Sequence, residues 1–413
     1  MNDFKESRLG LIPNDWVISK AKDYCKTVTD GTHDTPKATN EGHFLVTSKN
    51  LKNGEIDFST SYKISPREFK DINRRSKVDQ FDVLFGMIGT VGNPTIVYEN
   101  PVDFAIKNVG LFKLNGDIKK SKWLYIFLSS YIFTNFLKKQ QAGTTQQFVG
   151  LGFLRKIPVI FPKKPEEQTA IAGILSKVDE AIKSIQNSIK TAEKLKKSLM
   201  QNLLTGKLKP DGTWRNEDEF YIDEKMGKVP VGWSVERFGK RVIVKYGKSQ
   251  KEIVSETGKI PIYGTGGIME YGTDFLCDRE SILIGRKGTI DKPYYINTPF
   301  WAVDTTYYVD SFEKGNMKFL FLLLIKKKLK TLNEATGVPS ITRRTLNRQL
   351  FCFPPETEQK AISNKFEIID NKITQKQTKI NKLERLKKSL LQNLLTGKKR
   401  VDVEKINQLL NAK

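Results

Sequence analysis

Histidine and cysteine are the side chains that most often bind metals or act as nucleophiles, and this sequence contains few of them. The histidines are His33 and His43, and the cysteines are Cys25, Cys277 and Cys352. No two cysteines have the spacing of a metal-binding or redox pair, and a zinc site would lack ligands. The sequence therefore predicts no metal site and no disulfide framework.

Basic residues dominate the composition. The 413 residues include 70 Lys and Arg against 46 Asp and Glu, which gives a formal net charge of +24. This excess predicts a polyanionic partner, with nucleic acid before membrane; the alternative is an organism whose proteins are all rich in lysine. No apolar run reaches membrane length and the N-terminus has no apolar signal core, so we expect a cytoplasmic protein.

Internal repeats organise the chain. The stretch KLKKSLMQNLLTGKL (194–208) returns as RLKKSLLQNLLTGKK (385–399), an offset of 191 residues between Leu195 and Leu386. An earlier stretch, RLGLIPNDW (8–16), is matched by KMGKVPVGW (225–233). Because self-similarity of this kind marks repeated structural units, we predict two tandem halves. Each half would be a variable globular domain followed by a long helix.

The long helices are predicted from apolar residues that step by three and four. The first copy has Ile171, Leu175, Val178, Ile182, Ile185, Ile189 and Ala192, and the second has Ile362, Phe366, Ile369, Ile373, Ile380 and Leu383. Lys376 takes the place of Ile185, and we expect its ammonium group to reach water. About forty residues at 1.5 Å each give roughly 60 Å. So narrow a seam predicts that the two helices pair; the alternative is that each lies on its own domain. A pseudo-two-fold arrangement of the two halves would make the paired helices antiparallel.

The variable domains share a sequence skeleton. FDVLFGMIGTVGNP (81–94) and ESILIGRKGTIDKP (280–293) align Gly86 with Gly285 and Gly89 with Gly288, and each is followed by one predicted apolar helix, at 121–137 and 316–329. Outside this skeleton the side chains differ almost everywhere. One scaffold that reads two different targets would have this pattern.

The doubled, ordered set of motifs resembles the DNA specificity subunit of type I restriction–modification systems over essentially the whole chain. The motifs are two LKKSL-x-QNLLTGK helix ends, two G-[LK]-[IV]-P-x-x-W starts, two EQ-x-AI helix beginnings and the two G-x-x-G-T turns. The resemblance implies that each variable domain reads one half of an asymmetric bipartite DNA site. It also implies that the helices fix the spacer and dock two adenine methyltransferase subunits, which nuclease–translocase subunits can join.

The resulting expectation is an α+β protein. Two mixed α/β target-recognition domains would be separated by two long antiparallel coiled-coil helices in a pseudo-two-fold tandem repeat. The predicted segments are recognition domain 1 (1–160), the central helix (161–206), a linker (207–224), recognition domain 2 (225–353), the C-terminal helix (354–398) and a tail (399–413).

The resemblance implies that the subunit is not itself a catalyst. GNPT (92–95) and DKPYY (291–295) lack the double proline of an adenine methyltransferase loop, and no phosphate-binding G-x-x-x-x-G-K-[ST] loop exists. S-adenosylmethionine would belong to the methyltransferase partners, and ATP and magnesium to nuclease partners. Three alternatives stay open: a subunit of a different restriction class with the same recognition module, a coiled-coil scaffold without sequence-specific DNA binding, and a standalone methyltransferase that binds cofactor.

Exposed polar loops supply the candidate DNA contacts, because base edges and phosphates bind basic, amide and hydroxyl groups. The candidates are Thr32, His33, Thr35, Lys37, Thr144, Thr145, Gln146 and Gln147 in domain 1, and Tyr263, Arg286, Lys287, Ser340, Thr342, Arg343 and Arg344 in domain 2. The alternative for each is an ordinary solvated loop residue. We predict no catalytic, cofactor-binding or metal-binding residue.

Overall fold

Short strands and helices alternate along both halves of the chain. In each half a long helix of 39 residues follows them. The computed structural model describes residues 3–141 and 148–411. It divides into two units: unit 1 is Met1–Ile185 with Lys379–Lys413, and unit 2 is Gln186–Thr378. Each long helix is thus divided between the two units. The linear division into six segments stays a prediction.

The elements of the first half are named here in chain order. They are β1 (Phe4–Lys5), β2 (Ile12–Pro13), β3 (Trp16–Lys20), α1 (Ala21–Tyr24), β4 (Thr27–Asp30), β5 (His43–Thr47), β6 (Leu51–Lys52), β7 (Glu55–Ile56), β8 (Tyr62–Ile64), α2 (Pro66–Ser76), β9 (Val83–Gly86), β10 (Gly92–Ile96), β11 (Phe104–Lys107), β12 (Val109–Lys113), α3 (Ile118–Leu128), α4 (Tyr131–Gln141), α5 (Leu151–Lys156), β13 (Pro158–Pro162) and α6 (Pro165–Leu203).

The second half continues the numbering. Its elements are β14 (Phe220–Asp223), β15 (Gly227–Pro230), β16 (Ser234–Arg237), α7 (Phe238–Arg241), β17 (Val242–Tyr246), β18 (Ile260–Gly264), β19 (Gly267–Gly272), β20 (Ser281–Gly285), β21 (Tyr294–Ile296), β22 (Trp301–Ala302), β23 (Thr306–Phe312), α8 (Met317–Lys326), α9 (Arg343–Arg348), β24 (Leu350–Phe353), α10 (Glu356–Leu394) and α11 (Val403–Asn411).

Both units contain a four-stranded and a three-stranded sheet with the same strand order. Unit 1 has β10-β9-β12-β4 and β11-β5-β8, and unit 2 has β21-β20-β23-β17 and β22-β18-β19. The four-stranded sheets are antiparallel throughout. In each three-stranded sheet the central strand is parallel to one neighbour and antiparallel to the other. The α+β class and the shared skeleton of the two domains are therefore confirmed.

The core of each unit includes one end of a long helix. In unit 1, Trp16 packs edge-on against Trp123 at 5.9 Å between ring centroids, in a cluster that contains Leu175 and Leu394. In unit 2, Leu203 is buried in the cluster around Trp233. Full burial of one leucine side chain stabilises a fold by about 2 kcal/mol, so the helix ends are anchored by their domains.

Ion pairs join the two long helices within each unit. In unit 1, Asp179 of α6 binds Lys387 of α10, with 2.6 Å between Oδ1 and Nζ. In unit 2, Lys196 of α6 binds Asp370 of α10 at 2.5 Å, and Lys376 donates a hydrogen bond to Ser188. In unit 2, the contacting residue number falls along α10 as it rises along α6, so the segments run in opposite directions. Lys376 is half-buried, and its ammonium group uses one of its three N–H donors for the hydrogen bond to Ser188.

Five segments differ from the sequence expectation. The predicted single helix at 121–137 is two helices, α3 and α4, because the hydroxyl of Ser130 caps the second by accepting a hydrogen bond from Phe133 N at 3.2 Å. The predicted linker contains β14, and the predicted tail contains α11. The long helices are shorter at both ends than the predicted 161–206 and 354–398.

Candidate nucleic-acid interface

The turn after β20 carries two of the predicted basic residues in unit 2. Gly285 begins it, and a Cβ there would lie 2.1 Å from the carbonyl oxygen of Thr289, so only glycine fits. Gly288 has φ of +106°, which L-residues rarely adopt. Between them, the main-chain nitrogens of Arg286 and Lys287 both donate to the carbonyl oxygen of Thr305, at 2.9 and 3.1 Å.

A second segment, 339–341, is hydrogen bonded to this turn. Gly288 N donates to Pro339 O at 2.8 Å, and Ile341 N donates to Arg286 O at 3.0 Å. Lys287 and Ser340 form an antiparallel bridge. Helix α9 follows at once, capped by the hydroxyl of Thr342. The structure thus brings together five predicted residues, which are Arg286, Lys287, Ser340, Thr342 and Arg343.

One aromatic ring contacts both arginines of this set. The guanidinium carbon of Arg343 is 4.8 Å, and that of Arg286 is 5.4 Å, from the ring centroid of Tyr246. We call Tyr246, Arg286 and Arg343 the arginine–tyrosine cluster. All three side chains are exposed at the surface of unit 2. Tyr246 was not predicted as a site residue, because its position at the end of β17 gave no local signal.

The arginine–tyrosine cluster carries two positive charges, and neither forms an ion pair with a carboxylate in the part of the chain that the structure describes. The ion-paired arginines in the described ranges are Arg74, Arg75, Arg215, Arg241, Arg279 and Arg400. Arg286 and Arg343 instead donate to main-chain oxygens of Asp304, at 3.1 Å, and Val244, at 3.5 Å. Two exposed guanidinium groups held near one ring are a suitable site for an anion or for an acceptor-rich base edge.

The two remaining predicted residues of this unit, Tyr263 and Arg344, do not belong to the arginine–tyrosine cluster. Tyr263 is half-buried on β18, where its ring packs against Tyr294 and Phe300, and burial raises its pKa. These ring contacts are typical of a core tyrosine and not of a surface residue that binds DNA. Arg344 is exposed on the first turn of α9.

In unit 1 the predicted loop is built around a buried carboxylate. The Asp30 side chain is 5% exposed and binds Nε2 of His33 at 3.1 Å and Nη2 of Arg75 at 3.0 Å. The other ring nitrogen of His33 lies 2.7 Å from Oδ1 of Asn108. His33 is thus held in place by two oxygen partners while more than half of its side chain stays exposed.

The neighbouring predictions are also tied to this loop. The hydroxyl oxygen of Thr32 accepts from Asp34 N at 3.2 Å, and that of Thr35 accepts from Lys107 Nζ at 2.5 Å. Lys37 N donates to Glu68 at 3.2 Å, and the residue is exposed. Arg75, Lys107 and Asn108 were not predicted, because they come from distant segments. The predicted Thr144, Thr145, Gln146 and Gln147 lie outside the described residues.

The sheet registers place Asp30 and Tyr246 at the same position of the shared fold. In unit 1, Gly110 pairs with both Phe85 and Asp30. In unit 2, Tyr307 pairs with both Ile284 and Tyr246. By the same alignment, Met87 and Ile88 stand where unit 2 has Arg286 and Lys287. One scaffold position therefore carries a buried acid in one unit and an exposed aromatic ring in the other.

Comparison with protein families identifies the chain. The family model described as the type I restriction modification DNA specificity domain matches residues 13–194 and 230–385, which are most of the chain. The chain belongs to this family. The two matched ranges correspond to the two predicted halves, so the resemblance drawn from the motifs is confirmed.

Relatives of this DNA specificity family match along their whole length. The putative type I restriction enzyme MjaX specificity subunit of Methanocaldococcus jannaschii is 25% identical, and the MjaIX specificity subunit of the same organism is 24% identical. Each alignment covers 97% of both chains. Sequence-specific DNA recognition is thereby supported as the function, and the scaffold alternative is not favoured.

Solved structures share the fold. The S subunit of the type I restriction–modification system of M. genitalium superposes with a TM-score of 0.60 at 17% identity, over 92% of this chain and 96% of that one. A chain from a structure of type I system assembly and conformational transition gives 0.52 at 15% identity, over 94% and 99%. In the ranges 3–141 and 148–411, no helix is long and apolar enough to cross a membrane.

Proposed function

We propose that this specificity-family chain recognises an asymmetric bipartite DNA site, with one half read by each of the two sheet-containing domains. The supporting observation is that both units have one strand order, yet carry different chemistry at the same register position, Asp30 in one and Tyr246 in the other. Two domains with the same scaffold but different side chains read different base sequences, because specificity comes from the groups that reach the base edges.

The long helices, in this proposal, fix the number of base pairs between the half-sites. Each has 39 residues, which at 1.5 Å per residue spans about 58 Å. Half-sites on one face of DNA recur about every 34 Å. The ion pairs Asp179–Lys387 and Lys196–Asp370 support an antiparallel coiled coil in a pseudo-two-fold repeat, because each pair is the repeat equivalent of the other.

The chemistry is assigned to partner subunits. Two adenine methyltransferase subunits would dock on this chain and use S-adenosylmethionine, and nuclease–translocase subunits would use ATP and magnesium. This chain would bind no cofactor and catalyse nothing; it would place the target adenine for flipping into the partner's active site. We place its action in the prokaryotic cytoplasm, where the DNA lies.

The first test is to sequence the genomic DNA of a host by a single-molecule, methylation-sensitive method. One strain carries this gene with its methyltransferase partner, and the matched strain carries the partner alone. We expect a split motif of methylated adenines, with two unlike blocks and an unspecified spacer, only in the first strain. Identical methylation in both strains, with the partner shown to be expressed, would contradict the proposal.

A further inference from the structure

We propose that Arg286 reads a guanine in the half-site bound by unit 2, and that Tyr246 holds its guanidinium group in position for this contact. The inference rests on the proposed function and adds a base, a residue and an atom-level contact to it. Guanine presents N7 and O6 as two neighbouring acceptors in the major groove, and the arginine fork is the side chain that matches them.

The backbone of Arg286 is held by hydrogen bonds on both sides. Its nitrogen donates to Thr305 O at 2.9 Å, and its carbonyl oxygen accepts from Ile341 N at 3.0 Å. The two glycines of the turn allow the tight path that makes these bonds possible. A side chain that starts from so constrained a position loses less freedom when it binds, which favours a specific base contact over a mobile phosphate contact.

The guanidinium group of Arg286 is also oriented by neighbouring groups that leave its positive charge unpaired. It lies 5.4 Å from the ring centroid of Tyr246, and Nη1 donates to Asp304 O at 3.1 Å. A main-chain carbonyl uses one N–H of the five and adds no negative charge. The remaining donors stay available, and no carboxylate among the described residues forms an ion pair with them.

Arg343 differs from Arg286 in how it is held. It is the first residue of α9, and its side chain donates a hydrogen bond to Val244 O at 3.5 Å, which is the limit of such bonds. It is closer to the Tyr246 ring, at 4.8 Å. We therefore assign Arg343 to a phosphate contact, which contributes binding at every sequence without selecting a base.

The corresponding turn of unit 1 cannot make the same contact. Met87, at the position of Arg286, is 1% exposed, while Ile88 and Phe148 are 42% and 51% exposed and form a β-bridge. Exposed apolar groups of this kind contact the methyl group of thymine. The two half-sites should therefore differ at the base pair that faces this turn, with guanine needed only on the unit 2 side.

The main experiment compares the methylated motifs of strains that express wild type, Arg286→Gln, Arg286→Lys and Arg343→Gln with the methyltransferase partner. Arg348→Gln is the control, because Arg348 is exposed on the same helix as Arg343 and the charge change is the same. We expect both Arg286 variants to relax one guanine of one half-site, while the other half-site and the spacer stay unchanged. Arg343→Gln should lower methylation at all sites with the motif preserved.

A second measurement tests the contact in the wild-type protein. The purified complex with its methyltransferase partner is bound to duplexes in which each guanine of the motif is replaced in turn by 7-deazaguanine, which lacks the N7 acceptor. Wild type should lose about 5- to 100-fold in affinity at one guanine. In Arg286→Gln the affinities for the deaza duplex and the unmodified duplex should differ less at that position, because the variant lacks the two-donor fork that matches guanine.

The inference is overturned if Arg286→Gln leaves both half-sites intact, if it lowers methylation evenly at every site, or if no deazaguanine weakens wild-type binding. These results are distinct from failure of the proposed function, in which wild type itself yields no split motif. Tyr246→Leu provides a further check on positioning. It should relax the same guanine as Arg286→Gln, whereas loss of stability alone would lower methylation without changing the motif.

Discussion

Arg400 shows how one side chain can hold three distant parts of unit 1 together. Its Nε and Nη2 donate to the Glu167 carboxylate at 2.7 and 2.8 Å, and Nη1 and Nη2 donate to Asp15 at 3.0 and 2.8 Å. Glu167 is 5% exposed, so its charge needs a partner. The segment after α10 is thereby attached to the start of α6 and to the N-terminal part of the chain.

The repeat-equivalent glutamate of unit 2 is held differently. Glu358 binds Arg215 at 2.7 Å and accepts from Trp233 Nε1 at 3.1 Å. In unit 1 the corresponding Trp16 Nε1 is buried without a hydrogen-bond partner. The glutamate position is thus shared, but the arginine that binds it comes from a different place in each repeat.

Replacing Arg400 with glutamine should destabilise unit 1. The change leaves the buried Glu167 carboxylate without a cation, and we expect a loss of about 1–3 kcal/mol after allowing for the partial exposure of Arg400. Urea unfolding of the full chain measures it, with hydrogen exchange of residues 165–185 to assign the unit. Lys399→Gln is the control, since that exposed neighbour loses the same charge. Equal midpoints for the two variants would contradict the prediction.

The Asp15 contact should make this stabilisation depend on pH. The hydrogen bond from Arg400 lowers the pKa of Asp15 below its ordinary value of 3.8. A carboxyl whose folded pKa is depressed stabilises the fold above its unfolded pKa and stops doing so as the pH falls through the folded one. The difference in midpoint between wild type and Arg400→Gln should be full at neutral pH and shrink below about pH 4. A difference that grows on acidification would refute this.

The two long helices end in the same way. Gly206 has φ of +68° and Gly397 has φ of +66°, the left-handed conformation common at helix ends. In each case a proline of the same unit occupies the space of a Cβ: Pro230 Cγ would lie 2.2 Å from a Cβ at Gly206, and Pro13 Cγ 2.1 Å from one at Gly397. The repeated TGK sequence and the repeated IP or VP sequence therefore form one packing unit.

Gly206→Ala should lower the free energy of unfolding by more than the positive φ alone would. Gly212 has φ of +99° with no atom within 4 Å of its Cβ position, so Gly212→Ala measures the backbone cost, about 1–2 kcal/mol. Gly206→Ala should lose a further 1–3 kcal/mol or so, because Pro230 must move. Denaturant unfolding of both variants gives the comparison. If the two lose the same stability, the packing of Gly206 on Pro230 is unimportant.

At the scale of the whole molecule, the contacts between the two long helices indicate where both helices could be lengthened. In unit 2, Ser188 contacts Lys376 and Lys196 contacts Asp370, so the residues between them, near Ala192 and Ile373, face each other. An insertion at this level in both helices would keep the flanking pairs in register. A seven-residue insertion would also preserve the heptad seam and add about 10 Å.

A double insertion of seven residues, after Thr191 and after Ile373, should lengthen the spacer of the DNA site by about 3 bp, at roughly 3.4 Å per base pair. Both half-sites should stay the same, because the recognition domains are untouched. Methylation-sensitive sequencing of a strain with the altered gene measures the spacer. The insertion after Thr191 alone serves as the control and should abolish methylation, since it breaks the pairing. An unchanged spacer in the double variant would disprove the proposal that the long helices fix the number of base pairs between the half-sites.

Local sequence was sufficient for the repeated elements. The apolar residues that step by three and four predicted two long helices, and the structure has them at Pro165–Leu203 and Glu356–Leu394. The aligned G-x-x-G-T turns predicted a shared domain fold, and the strand orders agree. These features depend on periodicity and on backbone conformations that glycine and proline impose, which are properties of neighbouring residues.

The functional clusters depended on the folded chain. Tyr246 is separated by 40 residues of sequence from Arg286 and by 97 from Arg343, and Arg400 lies 233 and 385 residues from its partners Glu167 and Asp15. The length of α3 likewise depended on Ser130, whose hydroxyl caps α4. Periodicity assigns a residue to an element and a face, but not to a neighbour. Sheet register and helix pairing bring together side chains from distant segments, and these contacts orient the groups available to bind DNA.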